Sequence, residues 1–537
     1  MSSPARRAGT GATIGLLCAA VALGVGEAAA ALVRPSAAPV IAVGNRLIVL
    51  TPESVKRWAI SSFGTDDKTV LLSGIYVVLA VFAAVVGVLA LRWLALGLGA
   101  VAAFGVAGGY CALSANAAQS GDVVPTVIGT LAAAVTMVGL VHLAPSARGS
   151  AEHPRRAGPR HQPLHANRRR FLLGSAAAAA AAAVTGFGGR AAQHARFDVA
   201  QARAAVVLPH PVESAVPHSV TPAPSAPLTS APRRSNTPDL GMTAEPWDTP
   251  NSAFYRIDTA LSVPQIDPAQ WSLRIHGMVD NAMTLTFQQL LAMPLIERWI
   301  TLCCVSNEVG GGLIGNARFL GAPLAAVLRS ASVHPGADQL VLSSSDGMTI
   351  GSPTAVVMDG RDSMIAVGMN GVPLPIEHGF PARIVVPGLY GYVSACKWVV
   401  DIEATTYAQR QAYWAQGGWA AQTDIKLESR IDTPRSGASV RSGQAVAVAG
   451  VAWDQHVGVL AVDVQVDNGA WQAARLAPVP STDTWRQWVL VWTPPKPGSY
   501  TLRVRATDGS GVVQTAMSQP PFPSGATGLH AITVRAR

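Results

Sequence analysis

Charged side chains are scarce in this sequence: Asp, Glu, Lys and Arg make up 13% of 537 residues, against 49% hydrophobic. A soluble globular chain carries about a quarter charged residues, so part of this one is expected to lie in a membrane. Cysteine is scarcer still. There are five, and Cys18 and Cys111 fall inside apolar runs, which leaves no disulfide framework. The adjacent pair Cys303-Cys304 with a distant Cys396 lacks the ligand spacing of tetrahedral zinc. No Cys-x-x-Cys-His for a haem and no iron–sulfur spacing is present, and the N-terminal apolar runs offer only His142, too few for a bis-histidine haem. Acidic residues are outnumbered by basic ones, giving a net charge of +9. That excess is concentrated in one segment rather than spread over a face, which points to membrane topology and away from a nucleic-acid partner.

What is abundant is apolar sequence. Gly11 to Val33, Val70 to Leu91, Leu94 to Leu113 and Val123 to Leu143 each approach the ~20 helical residues that cross a bilayer core. The alternative, buried helices of a large soluble domain, must hide four runs with hardly a charge between their ends. Residues 1–147 are therefore predicted to form a four-helix transmembrane region. Arg6, Arg7 and Arg92, with Arg148, Arg155, Arg156, Arg160, Arg168, Arg169 and Arg170 against a single Glu152, mark the cytoplasmic flanks. The loops Pro35 to Lys68 and Ser114 to Gly121 then lie outside. Residues 148–170 read as a basic cytoplasmic loop. Asn167-Arg168-Arg169-Arg170-Phe171-Leu172-Leu173-Gly174-Ser175, followed by alanines, resembles a twin-arginine export signal with Arg168 and Arg169 as the pair, and 171–190 is a fifth apolar segment. A stop-transfer flank for an ordinary fifth span is the competing reading; both place the rest of the chain, from about residue 191 on, outside the cytoplasm. Residues 191–250, rich in Pro, Ala and Ser, read as a solvated linker.

Past the linker the texture is mixed. Trp271 to Gly277 and Gln339 to Leu342 are β-prone, while Phe287 to Met293 and Leu324 to Arg329 read as short helices, so 251–430 is predicted as an α+β domain. From 431 to 537, alternating stretches such as Val462 to Val466, ending in Asn468-Gly469, and Ser499 to Ala506 predict an immunoglobulin-like β-sandwich.

Chemistry concentrates at Thr301-Leu302-Cys303-Cys304-Val305-Ser306-Asn307-Glu308-Val309-Gly310-Gly311. A short β-prone run ends there in a Gly-rich turn, placing Cys304 at a strand-to-loop mouth. Such a thiol serves as nucleophile, disulfide half, soft-metal ligand or inert core residue. Successive side chains of extended chain face opposite ways, so Cys303 and Cys304 are expected to diverge; a vicinal disulfide is the competing arrangement.

Cys304-Val305-Ser306-Asn307 resembles the molybdenum-ligand loop of the sulfite oxidase family of molybdopterin enzymes. Met369-Asn370-Gly371-Val372-Pro373-Leu374-Pro375 and His378-Gly379-Phe380-Pro381-Ala382-Arg383 resemble that family's signature more closely, and Lys397-Trp398 completes it. The resemblance runs from about Ala253 to the C terminus. It implies a molybdenum–molybdopterin cofactor with Cys304 as protein ligand to the metal and as a catalytic residue. It further implies cofactor contacts from Tyr255, Arg256, Asp346, His378, Arg383, Ser394 and Lys397, and dimer contacts through the sandwich. Guanidinium suits such a cofactor because its planar fork grips oxygen anions.

The departures bear on substrate. Glu308 and Val309 stand where sulfite oxidases carry arginines, and Val367 and Gly368 stand where a catalytic tyrosine is found. Arg318 is the candidate substitute cation, and Tyr390 or Tyr392 the candidate phenol. Around Ser394 the chain is one residue longer than the family pattern. The expectation is a membrane-anchored, extracytoplasmic oxidoreductase moving an oxygen atom on a small substrate, sulfite-like, sulfoxide or N-oxide, with electrons passing to a separate carrier or to quinone. The alternative is an exported binding or assembly module that keeps a degenerate cofactor domain.

Overall fold

A computed structural model describes residues 4–63, 67–115, 117–144, 164–215 and 246–537. The chain folds as two compact units, residues 1–199 with 258–265, and residues 200–257 with 266–537.

The first unit is helical: α1 (Pro4–Ala30), α2 (Pro39–Leu50), α3 (Glu53–Phe63), α4 (Asp67–Ala90), α5 (Leu94–Leu113), α6 (Val124–Leu143) and α7 (Leu164–Phe197). Among the described residues five helices are long and apolar enough to cross a membrane, built on α1, α4, α5, α6 and α7. Helix α1 packs on α4 and α6 through glycines. A Cβ on Gly15 would lie 1.8 Å from the Ala83 carbonyl oxygen, and one on Gly129 2.5 Å from that of Ala22, so only glycine permits these crossings. The outside is apolar, with Val106 and Val135 each 74% exposed, a surface suited to lipid. Two expectations are corrected here. Residues 35–68, read as a loop, carry α2 and α3; the 12-residue α2 is about 18 Å long and too short to span a bilayer. Arg168 to Arg170 lie within α7 rather than in the basic loop, since arginine is a good helix former. The rest of that loop, 148–163, lies outside the described residues.

The expected linker is also partly structured. Helix α7 runs on to Phe197, and in the second unit Arg203 donates to the carbonyls of Leu374 (2.7 Å) and Pro373 (2.5 Å). Val212 N–H donates to Leu295 O at 2.8 Å and Glu213 pairs in parallel with Ile296. These residues satisfy backbone groups on a strand edge that would otherwise stay open. Residues 216–245 lie outside the described residues.

The second unit begins with two five-stranded sheets. One orders β2 (Met283–Thr286), β1 (Ser272–Gly277), β10 (Val399–Thr405), β5 (Gln339–Ser344) and β6 (Thr349–Pro353). The other runs β3 (Ile296–Cys303), β4 (Ile314–Pro323), β7 (Met364–Met369) and β8 (Val372–Pro373), with β9 (Arg383–Val385) on β7. Leu273, Ile275, Leu324, Val367, Ile384 and Ile402, all fully buried, belong to the core of this α+β domain. The sandwich pairs a sheet of β11 (Glu428–Thr433), β13 (Val446–Trp453), β17 (Arg486–Trp492) and β16 (Arg475–Leu476) with one of β12 (Ser439–Val440), β19 (Ala531–Ala536), β18 (Gly498–Asp508), β14 (Val459–Val466) and β15 (Trp471–Ala473). Its first strand starts at Glu428, three residues before the expected boundary at 431. A further cluster, including Trp247, Cys303, Trp419, Trp453 and Trp485, joins α+β domain and sandwich.

Candidate active site

Strand β3 and the loop after it present Cys304. Its N–H donates to Leu313 O at 2.9 Å and its carbonyl accepts from Asn307 N, while Asn307 Oδ1 accepts from Leu313 N at 2.8 Å, closing 304–313 into a tight loop. A Cβ on Gly311 would lie 2.7 Å from Asn307 Oδ1, so the glycines after the Asn are what let the loop close. Cys303 and Cys304 part company as the strand alternation requires. Cys303 sits in the tryptophan cluster between domain and sandwich, and both cysteines are free thiols. Burial pushes the Cys304 thiol up, and hydrogen bonds from Ser306 draw it down.

Tyr255 comes to the same place on the loop before β1. Burial first, then the Cys304 and Cys303 thiols, push its phenol well above the usual range, while Arg383 draws it back. Phe254 stacks on Tyr255 with ring centroids 5.2 Å apart and sets its edge against His378 at 5.7 Å. Arg256 follows on this loop, half-buried. His378 ends the turn Ile376–His378, with Nε2 3.2 Å from Asn251 O. Its imidazole is pushed down to about 4, by burial first and then by Arg383, so it is neutral at physiological pH. Gly379, at φ +113°, leaves the room that Lys397 needs, because a Cβ there would lie 3.2 Å from the Lys397 Cα. Lys397 Nζ donates to Glu377 O at 3.2 Å and lies over the Trp398 ring.

Arg383, on β9, carries the strongest chemical signal. It is 5% exposed, and its Nη1 donates to His378 O at 3.1 Å. Nε is buried without a partner, and among the described residues no carboxylate forms an ion pair with it. A buried guanidinium with no protein anion requires one from elsewhere. The residues thus fit an anionic cofactor that needs one protein thiolate. No cluster of three or more His, Cys, Asp or Glu able to hold a bare metal ion occurs among the described residues.

Other predicted residues are placed differently. Arg318 pairs with Trp299 on the β3–β4 ladder, four register positions from Cys303, about 13 Å along a strand. Its Nε lies 3.3 Å from Glu297 Oε1 and its guanidinium lies over the Trp299 ring, so the expected substitute cation already has an ion-pair partner in the sheet. The Tyr390 phenol accepts from Lys426 N at 3.4 Å and sits in the Cys303 cluster. Tyr392 donates to Ala420 O at 2.6 Å. Both expected phenols are turned toward structural partners. Ser394, fully buried, donates to the Leu389 and Tyr390 carbonyls, which makes it a turn lock. Asp346 caps its own turn by accepting from Met348 N at 3.1 Å.

Asn370, quoted above only as part of the signature motif, is the residue whose part in the site was missed. Asn370, at φ 52°, donates from Nδ2 to Thr249 O (2.9 Å) and Asn251 Oδ1 (2.8 Å) and accepts from Arg318 N. It thereby ties the Tyr255 loop to β4. Its place before glycine was the available signal, since Asn tolerates positive φ.

This arrangement belongs to the molybdopterin-binding oxidoreductase domains. Residues 260–414 match the family described as oxidoreductase molybdopterin binding domain, and 428–504 match the bacterial Ig domain. Sulfite oxidase of Gallus gallus is 30% identical over 327 residues, 52% of this chain and 70% of that protein. The chain belongs to the sulfite oxidase family of molybdopterin-dependent oxidoreductases. Mitochondrial sulfite oxidase of Drosophila melanogaster is 30% identical over 317 residues, 50% of this chain and 54% of that protein, so the chain spans about half the length of that relative. The crystal structure of the sulfane dehydrogenase SoxCD from Paracoccus pantotrophus aligns at a TM-score of 0.48 with 23% identity, covering 54% of this chain and 82% of that chain.

Proposed function

We propose that the chain is a membrane-anchored oxidoreductase that uses molybdenum–molybdopterin to transfer an oxygen atom on a small substrate. The observation that carries this is Arg383, buried and without an ion-paired carboxylate among the described residues, with Tyr255 as a neighbour it shares with Cys304. When bound, the cofactor supplies two-electron redox chemistry and oxygen exchange at molybdenum. Cys304 is the protein's thiolate ligand, a soft donor. Arg383 and Lys397 hold cofactor anions, and neutral His378 offers a ring nitrogen to the pterin. Tyr255, which keeps its proton, donates a hydrogen bond on the Cys304 side, and Arg256 and Asp346 complete the cofactor contacts. Glu308 and Val309, in place of the arginines expected for a sulfite site, favour a neutral substrate such as a sulfoxide or N-oxide over sulfite.

The membrane reading is supported by the five apolar helices, and the arginine flanks favour a catalytic domain outside the cytoplasm. Arg168 and Arg169, exposed early in α7, serve as the export pair for an already folded domain. Electrons are exchanged with a separate carrier or quinone, which supplies them when a sulfoxide or N-oxide is reduced. The sandwich serves a homodimer.

The test is molybdenum and pterin analysis of purified protein. Cys304→Ser is expected to lose oxygen transfer from a sulfoxide or N-oxide, with a reduced dye as electron donor and the fold retained, whereas Cys303→Ser keeps most of it. The reverse pattern removes Cys304 as the ligand, and wild-type protein purified without molybdenum or pterin overturns the reading.

A further inference from the structure

The Cys304 loop is held from two sides, and only one of them belongs to the α+β domain. On the inner side lie the loop's own bonds through Asn307 and Leu313. On the outer side the sandwich takes hold. Arg430, on β11 and 7% exposed, donates from Nη1 to Gly311 O at 2.8 Å. Its own orientation is fixed, because Nε donates to Asp432 Oδ1 at 2.6 Å and the guanidinium lies over the Trp485 ring at 6.0 Å. His530, which immediately precedes β19, accepts from Ile431 N at Nδ1 (2.9 Å) and lays its ring flat against Gly310. A Cβ on Gly310, whose φ is +78°, would lie 2.3 Å from His530 Cδ2.

The same grip continues along the strand that leads into the loop. Thr301 N donates to Asp483 O at 3.0 Å, Gln455 Nε2 donates to Thr301 O at 3.2 Å, and Trp485 N donates to Thr301 Oγ1 at 2.8 Å. A loop rich in glycine has many backbone states to choose from, and a ligand must be held to within fractions of an ångström to keep one geometry.

We infer that Arg430 and His530 are positioning residues for Cys304, through which the sandwich fixes the conformation of the loop that presents the thiol. The sandwich therefore has a task in the site itself. The inference takes Cys304 as ligand from the proposed function, but its test runs on cofactor-free protein, so absence of molybdenum would overturn that reading and leave this one standing.

The full chain is purified from cells unable to make the pterin. Hydrogen exchange of the peptide covering 304–313 and the rate of Cys304 alkylation by iodoacetamide are then followed by mass spectrometry. Arg430→Met is expected to raise both about tenfold, with exchange in β5 and β10 unchanged; Arg430→Lys should recover part of the protection. Gly310→Ala, which displaces the His530 ring, should act in the same direction. If Arg430→Met unfolds the sandwich, His530→Gln, which keeps a side-chain acceptor for Ile431 N but loses the flat ring on Gly310, decides by the same two rates. In cofactor-loaded protein the molybdenum–sulfur signal in X-ray absorption should broaden in these variants. Loop exchange and Cys304 alkylation equal to wild type in the folded variants would overturn the inference.

Discussion

Replacing Arg383 by methionine should move stability and cofactor retention in opposite directions. Burial pushes the guanidinium well below its ordinary value, down to about 10. A base whose folded value is lowered costs stability at every pH below that value, because the folded state must hold a charge that the unfolded chain holds in water. At pH 7 both states are charged, so the folded state bears the whole penalty. At about 1.4 kcal/mol for each pH unit this comes to roughly 3 kcal/mol. Against it stands the bond from Nη1 to His378 O at 3.1 Å, which contributes about 1.5 kcal/mol. Cofactor-free Arg383→Met should therefore be more stable than wild type by about 1 to 2 kcal/mol, a rise of roughly 4 °C in Tm for a domain of this size. Cofactor-loaded protein should behave oppositely. Losing charge-assisted contacts to the cofactor removes about 2 to 3 kcal/mol, so molybdenum should leave roughly 30- to 150-fold more readily during dialysis. Calorimetry of both forms, with metal analysis after dialysis, reads both quantities. A cofactor-free variant that melts below wild type and still retains molybdenum normally would make Arg383 a structural residue.

Three further outcomes are expected. His378 has a folded value of about 4 against 6.5, so its contribution is complete above pH 6.5 and is lost as pH falls toward 4; wild type should lose roughly 2 kcal/mol more between pH 7 and pH 5 than His378→Asn in urea titrations, and equal losses would place the ring in solvent. Glu428, pushed up to about 8 by burial, penalises the folded state increasingly as pH rises from 4.5 to 8; Glu428→Gln should gain about 4 kcal/mol at pH 8 and little at pH 4.5, and a gain that does not depend on pH would refute the assignment. Changing both Arg168 and Arg169 to lysine should leave a cofactor-loaded domain on the cytoplasmic face, so that external protease no longer cuts between Val206 and Pro250; cutting as in wild type would make the pair a topology flank only.

How much of this was legible depends on how local each signal was. The long helices were readable because about twenty apolar residues in a row have few alternatives. Helix α3 was not, because Glu53–Phe63 carries charge and no long apolar run. The strap at residues 212–215 was also unreadable. Its pairing with β3 is a contact across some eighty residues, and nothing in Val212 or Glu213 distinguishes them from linker.

At the site the same division holds, and it explains which residues moved. Cys303 and Cys304 could be told apart because strand alternation is a property of neighbours. Arg318 and Tyr390 were chosen for chemical type, with no local rule to say which way each would face. The structure gives Arg318 to Glu297 and Trp299 and Tyr390 to the sandwich side, beside Lys426. Residue type limits what a side chain is able to do, and its partners decide whether it remains available to do it. Arg383 satisfies both conditions, because its charge is buried and no protein carboxylate among the described residues pairs with it. Arg318 satisfies only the first, since its cation is already engaged at the sheet surface. A buried cation without a protein anion is therefore a sharper guide to a candidate site than any cation counted from sequence.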